Sequence, residues 1–377
     1  MIPSALRQLY QIPDGVVYLN TASMGPRLRA VTAAGQRAVE RYAAPWTIGD
    51  AAWFTEPEVL RRSVAALIDV SADALALIPS ASYGIAIAAK NLRLAAHSNI
   101  VLLEEQFPSN VYAWQRLAAQ TPASIRRAAR GGKQTLTESV LSCIDARTSL
   151  VAIPNCHWSD GEWIDLVAVA TAAHAVGAAL VIDASQSLGA LPLDIAAIQP
   201  DFVVAVGYKW LLGPYGLGYL YASPHWQREG VPLEESWMTR AGSDNFARLV
   251  DYVDDYRPGA RRFDFGEFSQ FISVPMAQAA IAQLAEWRVA AIHQHLRAIT
   301  ARIRDVALGL GYTTQAAAES AGHFLGLRRA DGEMSKLAQQ LRAAGIHLSI
   351  RGDCLRIAPH LHTTDADVDR LLNVLAG

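Results

Sequence analysis

The sequence predicts an α/β fold: a large, mostly parallel sheet with helices on both faces, and a smaller α+β C-terminal unit. Three observations carry this reading. Short apolar runs alternate with helical patterns through the first two-thirds of the chain. Those runs lack polar alternation, as expected of strands covered on both faces. From about residue 276 the texture changes to a long helical pattern followed by short strand candidates. A chain of 377 residues with 51% hydrophobic content is too long for one ordinary core. The expected division is a large unit over 16–258 and a small unit over 259–377 that also takes in 1–15. The boundary falls at "DYRPGARR" (255–262), a Pro/Gly-bearing turn.

The elements follow in order. "IPSASYGIAIAAKNL" (78–92) sets small polar residues before a helical pattern with Ile85, Ala88, Ala89 and Leu92 on one side. "NIVLLEE" (99–105) and "SLVAIPN" (149–155) read as strands. Between them, "RRAARGGK" (126–133) reads as a solvated basic loop rather than a phosphate site. "DLVAVATAAHAVG" (165–177) reads as a helix with a Gly placed as its C-cap. "AALVIDAS" (178–185), "DFVVAVGY" (201–208) and "GLGYLYAS" (216–223) are further strands. "MAQAAIAQLAEWRVAAIHQHLRAITARIRDVALGL" is a long helical pattern. "HFLGLRR" (323–329) and "IHLSIRGDCLRIAP" (346–359) supply short strands, and "TDADVDRLLNVLA" opens with a Thr or Asp N-cap.

Composition excludes several classes. The 33 Lys+Arg against 35 Asp+Glu leave a net charge of −2, with no electrostatic case for nucleic acid or an anionic membrane. Three scattered cysteines form no metal or disulfide framework, so a reducing cytoplasm is expected. The N-terminus lacks a basic end leading into an apolar signal core, and no apolar run reaches 18 residues. The two histidines of "PHLH" (359–362) lack a thiolate or acidic cluster to complete a metal site. No GxGxxG or GxxxxGK[ST] signature appears.

The chemistry concentrates at strand ends, where open parallel sheets bind ligands. Asp183 closes an apolar strand. It either caps the next helix or meets a cationic or hydrogen-bonding partner at that depth. Lys209 follows 26 residues later at the end of the next strand. It either snorkels to water or is held in a pocket for chemistry. One right-handed crossover brings the two strand ends together. The turn at Ala81 and Ser82 is an ordinary Ser-capped helix start, or a set of free N–H groups that binds phosphate. A phosphate site, a buried carboxylate and a strand-end lysine together suit pyridoxal 5′-phosphate: the lysine holds the aldehyde as a Schiff base, and the carboxylate keeps the pyridine nitrogen protonated.

With "DASQS" (183–187) followed by "GYK" (207–209), the chain resembles the class V aminotransferase family of fold-type I pyridoxal-phosphate enzymes, over nearly its whole length. That group includes cysteine desulfurases, kynureninases and isopenicillin-epimerase-like proteins. The resemblance implies that Asp183 pairs with the pyridine nitrogen. Gln186 would hydrogen-bond the ring oxygen or the Schiff-base region, and Lys209 would carry the cofactor. Tyr208 resembles the phosphate-binding tyrosine of kynureninase-like members. In "EEQFPSNVYAW" (104–114), Phe107 falls where the group stacks a ring on the cofactor. In "IPNCHWSDG" (153–161), Asn155 matches an asparagine near the ring oxygen, with His157 as a catalytic candidate and Trp158 facing the substrate, unless His157 is structural. In "CLRIAPHLH" (354–362), Arg356 would grip the substrate carboxylate. Asn20, closing "GVVYLN", joins Arg356 and Trp158 as a substrate contact. "RRFDFGEFSQF" (261–271) occupies the place of a segment that reaches the partner's cofactor in the group's dimers, so a homodimer is implied. Gly266-Glu267 stands where desulfurases carry Gly-Thr.

The reaction expected first is transamination. Desulfuration needs a mobile cysteine before the C-terminal arginine, and the connection "SIRGDCLRI" is too tight for one. A lyase or hydrolase acting at the β or γ carbon, an epimerase and a catalytically silent binding protein are the alternatives.

Overall fold

The computed structural model describes residues 4–329, 332 and 334–377. The chain opens with β1 (Val17–Tyr18), α1 (Arg29–Tyr42) and α2 (Ala51–Leu67). The central sheet is then laid down as β2 (Leu75–Ile78), α3 (Ala81–Asn91), β3 (Asn99–Leu103), α4 (Tyr112–Gln120), β4 (Ser124–Ala128), α5 (Leu136–Cys143) and β5 (Thr148–Pro154). It continues through α6 (Leu166–Ala175), β6 (Ala179–Asp183), α7 (Ile195–Ile198), β7 (Phe202–Val206) and β8 (Gly218–Ala222). α8 (Pro224–Glu229), α9 (Ser273–Trp287) and α10 (Val289–Gly309) lead to the C-terminal part. That part holds β9 (Leu325–Leu327), α11 (Met334–Ala343), β10 (Ile346–His347), β11 (Ser349–Arg351), β12 (Cys354–Ile357) and α12 (Asp365–Ala376).

The seven-stranded sheet runs β2-β8-β7-β6-β5-β3-β4. β7, β6, β5, β3 and β4 are parallel, and β8 is antiparallel to both β2 and β7. Alternate residues feed opposite layers. Val151, Ile153, Leu180, Ile182 and Val203 pack in one core, and Leu150, Ala152, Val181, Phe202 and Val204 in the other. This explains the unbroken apolar runs: a strand between two helical layers has no wet face. Helix ends are set by local chemistry. Ser80 Oγ accepts from Tyr83 N–H at the start of α3, and Asp165 accepts from Val167 and Ala168 N–H at the start of α6. α12 opens on a capping box between Thr364 and Asp367.

Two local readings are corrected. The long C-terminal helical pattern is two helices, because Arg288 adopts φ +64° and breaks the ladder between α9 and α10. The basic segment 126–133 is not a solvated loop throughout: it includes most of edge strand β4, and Arg130 pairs with Glu105, Asp160 and Glu162. The acids that match Arg130 lie more than twenty residues away in the chain, which local composition does not reveal.

The smaller sheet is β11-β12-β9, antiparallel throughout. β1 joins β10, and Asn20 bridges Ala358. The N-terminal segment therefore runs beside β12 and on toward Lys209. Gly25 N–H donates to the Tyr208 carbonyl at 2.8 Å, and a Cβ on Gly25 would run into the Lys209 carbonyl. Among the described residues, no helix is long and apolar enough to cross a membrane.

A buried ion pair anchors the edge of the large sheet. Arg61 and Asp264 are both fully buried and meet through two bonds of 2.7 and 3.0 Å. Asp264 also accepts from Leu77 N–H at 2.7 Å, tying β2 to the chain beyond residue 260. Asp264→Ala leaves the Arg61 guanidinium with Glu58 and the Leu75 carbonyl, and the Leu77 N–H without its acceptor. The expected cost is about 3 kcal/mol or more, read from the urea midpoint. A loss under about 1 kcal/mol, the worth of a surface pair, would show that the pair does not secure β2.

Candidate active site

The parallel register places Asp183 opposite Val204, with Pro154 on its other side. The chain leaving β5, β6 and β7 therefore delivers Asn155, Asp183 and Lys209 to one end of the sheet, and the chain leaving β3 delivers Phe107. There a cavity of ≈ 250 Å³ is lined by Ala81, Ser82, Phe107, Trp158, Asp183, Gln186, Tyr208 and Lys209, all expected from the sequence. It is also lined by Ser80, Ser185 and Tyr215, which sequence reasoning missed. "GPYG" offered a signal for Tyr215, whose ring centroid lies 4.6 Å from that of Tyr208.

Lys209 is 7% exposed, and its ammonium lies 5.4 Å from the centroid of the Phe107 ring and 5.9 Å from that of Tyr208. Burial pulls its amine down to about 8; Asp183 opposes this, while Arg356 and Arg351 add to it. Asp183 is also buried and accepts from Ser185 N–H at 3.0 Å. Asp183 acts on Lys209 through space, with no direct ion pair between them. At the start of α3, Ser82 Oγ lies 3.0 Å from Ser80 Oγ. Gln186 is held at both ends, donating to the Ala22 carbonyl and accepting from Trp210 Nε1–H. One amide proton and one lone pair remain for a ligand. Ser185 Oγ and Asn155 Oδ1 are buried without hydrogen-bond partners. Asn155 itself stands behind the lining.

His157 does not line the cavity, and the expectation that it is catalytic is corrected. It is fully buried, with Nε2 donating to the Glu105 carbonyl at 3.1 Å and Nδ1 accepting from Ser159 Oγ at 2.8 Å. Burial first, then Arg130, hold its imidazole down to about 4, so it is neutral. Trp158 Nε1–H donates to the same Glu105 carbonyl at 2.8 Å. Together they fix Glu105 at φ +51° and aim the loop that carries Phe107.

Arg356 is 1% exposed. It donates to the Trp158 carbonyl at 2.8 Å, to Ser23 Oγ at 3.2 Å and to Ser349 Oγ at 3.3 Å, and its Nε has no partner. Burial, then the Arg351 charge, lower it to about 9, still protonated at neutral pH. Asn20 does not reach the cavity; its Oδ1 accepts from Ser349 Oγ at 2.6 Å, one link behind Arg356. None of the cysteines lines the cavity. Cys156 Sγ points to the Gln186 carbonyl and Cys354 Sγ to the Ser159 carbonyl. His360 Nδ1 lies 3.0 Å from Tyr10 Oη, and His362 Nε2 donates to the Tyr18 carbonyl at 2.7 Å. The cavity has room for a flat ring beside Phe107 and an anion at the start of α3; Arg356 is not among its lining residues and reaches that wall through the Trp158 carbonyl.

A family model described as aminotransferase class-V matches residues 17–371. The chain is similar to uncharacterized aminotransferase YcbU of Bacillus subtilis (strain 168), 27% identical and covering 100% of this chain and 98% of the relative. It is similar to isopenicillin N epimerase of Streptomyces clavuligerus, 26% identical over 84% of this chain and 82% of the relative. Among solved structures, a C-DES mutant with glycine covalently linked to its PLP cofactor matches with a TM-score of 0.87 at 17% identity, covering 98% of each chain. That likeness shows the fold, which is fold-type I as the sequence predicts.

The depressed Lys209 amine has a direct readout. Reductive methylation of the protein freed of ligands should modify Lys209 with a midpoint near about 8, since the free base is the reactive form above that pH. Replacing Asp183 with Asn should move the midpoint lower, because Asp183 favours the charged amine. A midpoint at the ordinary 10.5 would mean that Lys209 is solvated rather than enclosed.

Proposed function

This chain belongs to the aminotransferase class-V family of pyridoxal 5′-phosphate enzymes, and on that premise we propose that it transfers the amino group of an amino acid to a 2-oxo acid. The residues present fit the cofactor. A depressed amine with no ion pair among the described residues, a buried carboxylate at the neighbouring strand end and the N–H groups opening α3 surround one cavity. Ser185 Oγ is an orphaned polar atom in its wall. When bound, the cofactor supplies an electron sink for negative charge developing at the substrate's α carbon.

The chain's own residues do the rest. Lys209 would hold the cofactor's aldehyde carbon, and once displaced its neutral amine would take the proton from the substrate's α carbon and return it to the carbon on the other side of the amino nitrogen. Asp183 would face the ring nitrogen and keep it protonated. Ala81 and Ser82 would receive the phosphate with Tyr208 beside them, and Phe107 would cover the ring. Gln186 has one amide proton left for the ring oxygen, and Asn155 Oδ1 stands behind it. Arg356 would dock the substrate carboxylate against Trp158, its side-chain position fixed by Ser23, Ser349 and, through Ser349, Asn20. His157 serves as a strut for the 104–107 loop.

The observation that carries transamination is the make-up of the lining. Lys209 is its one amine, and neither histidine nor cysteine reaches it among the described residues. A single base moving one proton between two carbons suffices for transamination. Desulfuration requires a thiol at the substrate. Epimerisation requires a second proton carrier on the opposite face. The similarity to isopenicillin N epimerase favours that second reading, with the Tyr208–Tyr215 pair as the proton source. Supplying amino acids with a 2-oxo acid acceptor separates them. Stoichiometric conversion of donor to its oxo acid supports the proposal; ammonia release or a D-isomer without oxo acid contradicts it.

Borohydride reduction followed by peptide mapping should place the mass of the reduced cofactor on Lys209, and the Lys209→Ala protein should carry none. A label on another lysine would refute the assignment. Arg356→Gln should lower kcat/KM about 10- to 100-fold, mainly through KM, as expected on removing a charge-assisted pair worth about 1.5–3 kcal/mol. An unchanged KM would mean that the carboxylate is held elsewhere.

A further inference from the structure

The β11–β12 hairpin carries two arginines, and its register puts both on one face. Ser349 pairs with Arg356 and Arg351 with Cys354, so residues 349, 351, 354 and 356 share a side of the sheet. The two guanidiniums converge on one oxygen. Arg351 donates to Ser23 Oγ at 2.9 Å and Arg356 at 3.2 Å, so the two donor nitrogens lie within about 6 Å of each other. Among the described residues, no carboxylate pairs with either. Each lowers the charge tolerance of its surroundings: Arg351 acts on Arg356, and both act on Lys209. Keeping two like charges together without a counter-ion is costly, and it is the electrostatics of a receptor built for anions.

The two differ in depth. Arg356 is fully buried against the Trp158 carbonyl, whereas Arg351 is half-buried, 6.0 Å from the centroid of the Trp158 ring. Trp158 lines the cavity, and its carbonyl and ring link that wall to Arg356 and Arg351, neither of which is itself in the lining. We propose that Arg351 reads a second acidic group at the side-chain end of the substrate, so that the site selects amino acids bearing two carboxylates or a carboxylate and another oxyanion. This rests on the assignment of Arg356 to the α-carboxylate. The geometry suits a short dicarboxylic amino acid, whose carboxylate carbons stand on the order of 4–5 Å apart. A planar guanidinium matches an oxyanion with two parallel bonds, which favours arginine over lysine here.

The test uses the cofactor-loaded protein and inert acids. Calorimetric titration compares succinate and glutarate with propionate and butyrate. The wild-type protein should bind the dicarboxylates at least about 10-fold more tightly, the effect of one charge-assisted pair. Arg351→Gln should bring that ratio to within about twofold of one, and Arg351→Lys should restore part of it. Arg356→Gln should weaken both classes while leaving a preference. Cofactor content and circular dichroism confirm that each variant is folded. Equal weakening of both classes in Arg351→Gln would mean that the two arginines grip a single carboxylate, and the proposal fails while the wider reading of the site stands. Absence of any dicarboxylate preference in the wild type also overturns it. Failure of the wild type to retain the cofactor would overturn the reading of the site and this proposal together.

Discussion

Parallel pairing of β6 with β7 is the contact on which the site depends. It sets the last residue of one strand, Asp183, beside the other, and the chain leaves β7 for Lys209 a few residues beyond. Both strands are sealed between two apolar layers, so neither end can slide without exposing core residues. The two ionisable groups thus meet at a position dictated by packing rather than by their mutual attraction. Gly25 adds a second constraint by admitting the N-terminal segment against the Lys209 carbonyl. The segment that backs the Lys209 backbone thus also pairs with the C-terminal part.

The charge balance around that cavity is uneven. Lys209 feels two cations, Arg356 and Arg351, against one carboxylate, Asp183, among the described residues. Burial makes each cation more costly to keep, and the lowered lysine is the most responsive of them. Such a site draws anions, and it holds its base partly deprotonated near neutral pH. The deeper layer is neutral by contrast. His157 and Trp158 spend their ring N–H groups on one carbonyl, and Cys156 and Cys354 turn their sulfurs toward carbonyls, with burial pushing both thiols up.

Much of this was legible in the sequence because it rests on strand ends and helix starts. The runs ending at Asp183 and Val206, and the Ser80–Ser82 turn, carry local signals, and the structure gathers them around one cavity. What escaped depends on pairing across distance. Arg351 lies among short, mixed strands, and only the hairpin register shows that it shares a face with Arg356. Arg130 resembled a loop residue because its acids come from other segments. His157 had the right neighbours for catalysis, yet its ring nitrogens are taken by Glu105 and Ser159, a matter of side-chain direction that spacing does not encode. The break at Arg288 falls within a pattern whose apolar period continues on both sides.

The account stands on Asp183 and Lys209 grasping opposite features of one bound ring. A crystal structure of the protein with pyridoxal 5′-phosphate measures this directly. The account predicts continuous density from the cofactor to Lys209 Nζ, with an Asp183 oxygen within about 2.6–3.0 Å of the pyridine nitrogen. A cofactor bound elsewhere, or one whose ring nitrogen points away from Asp183, would contradict it.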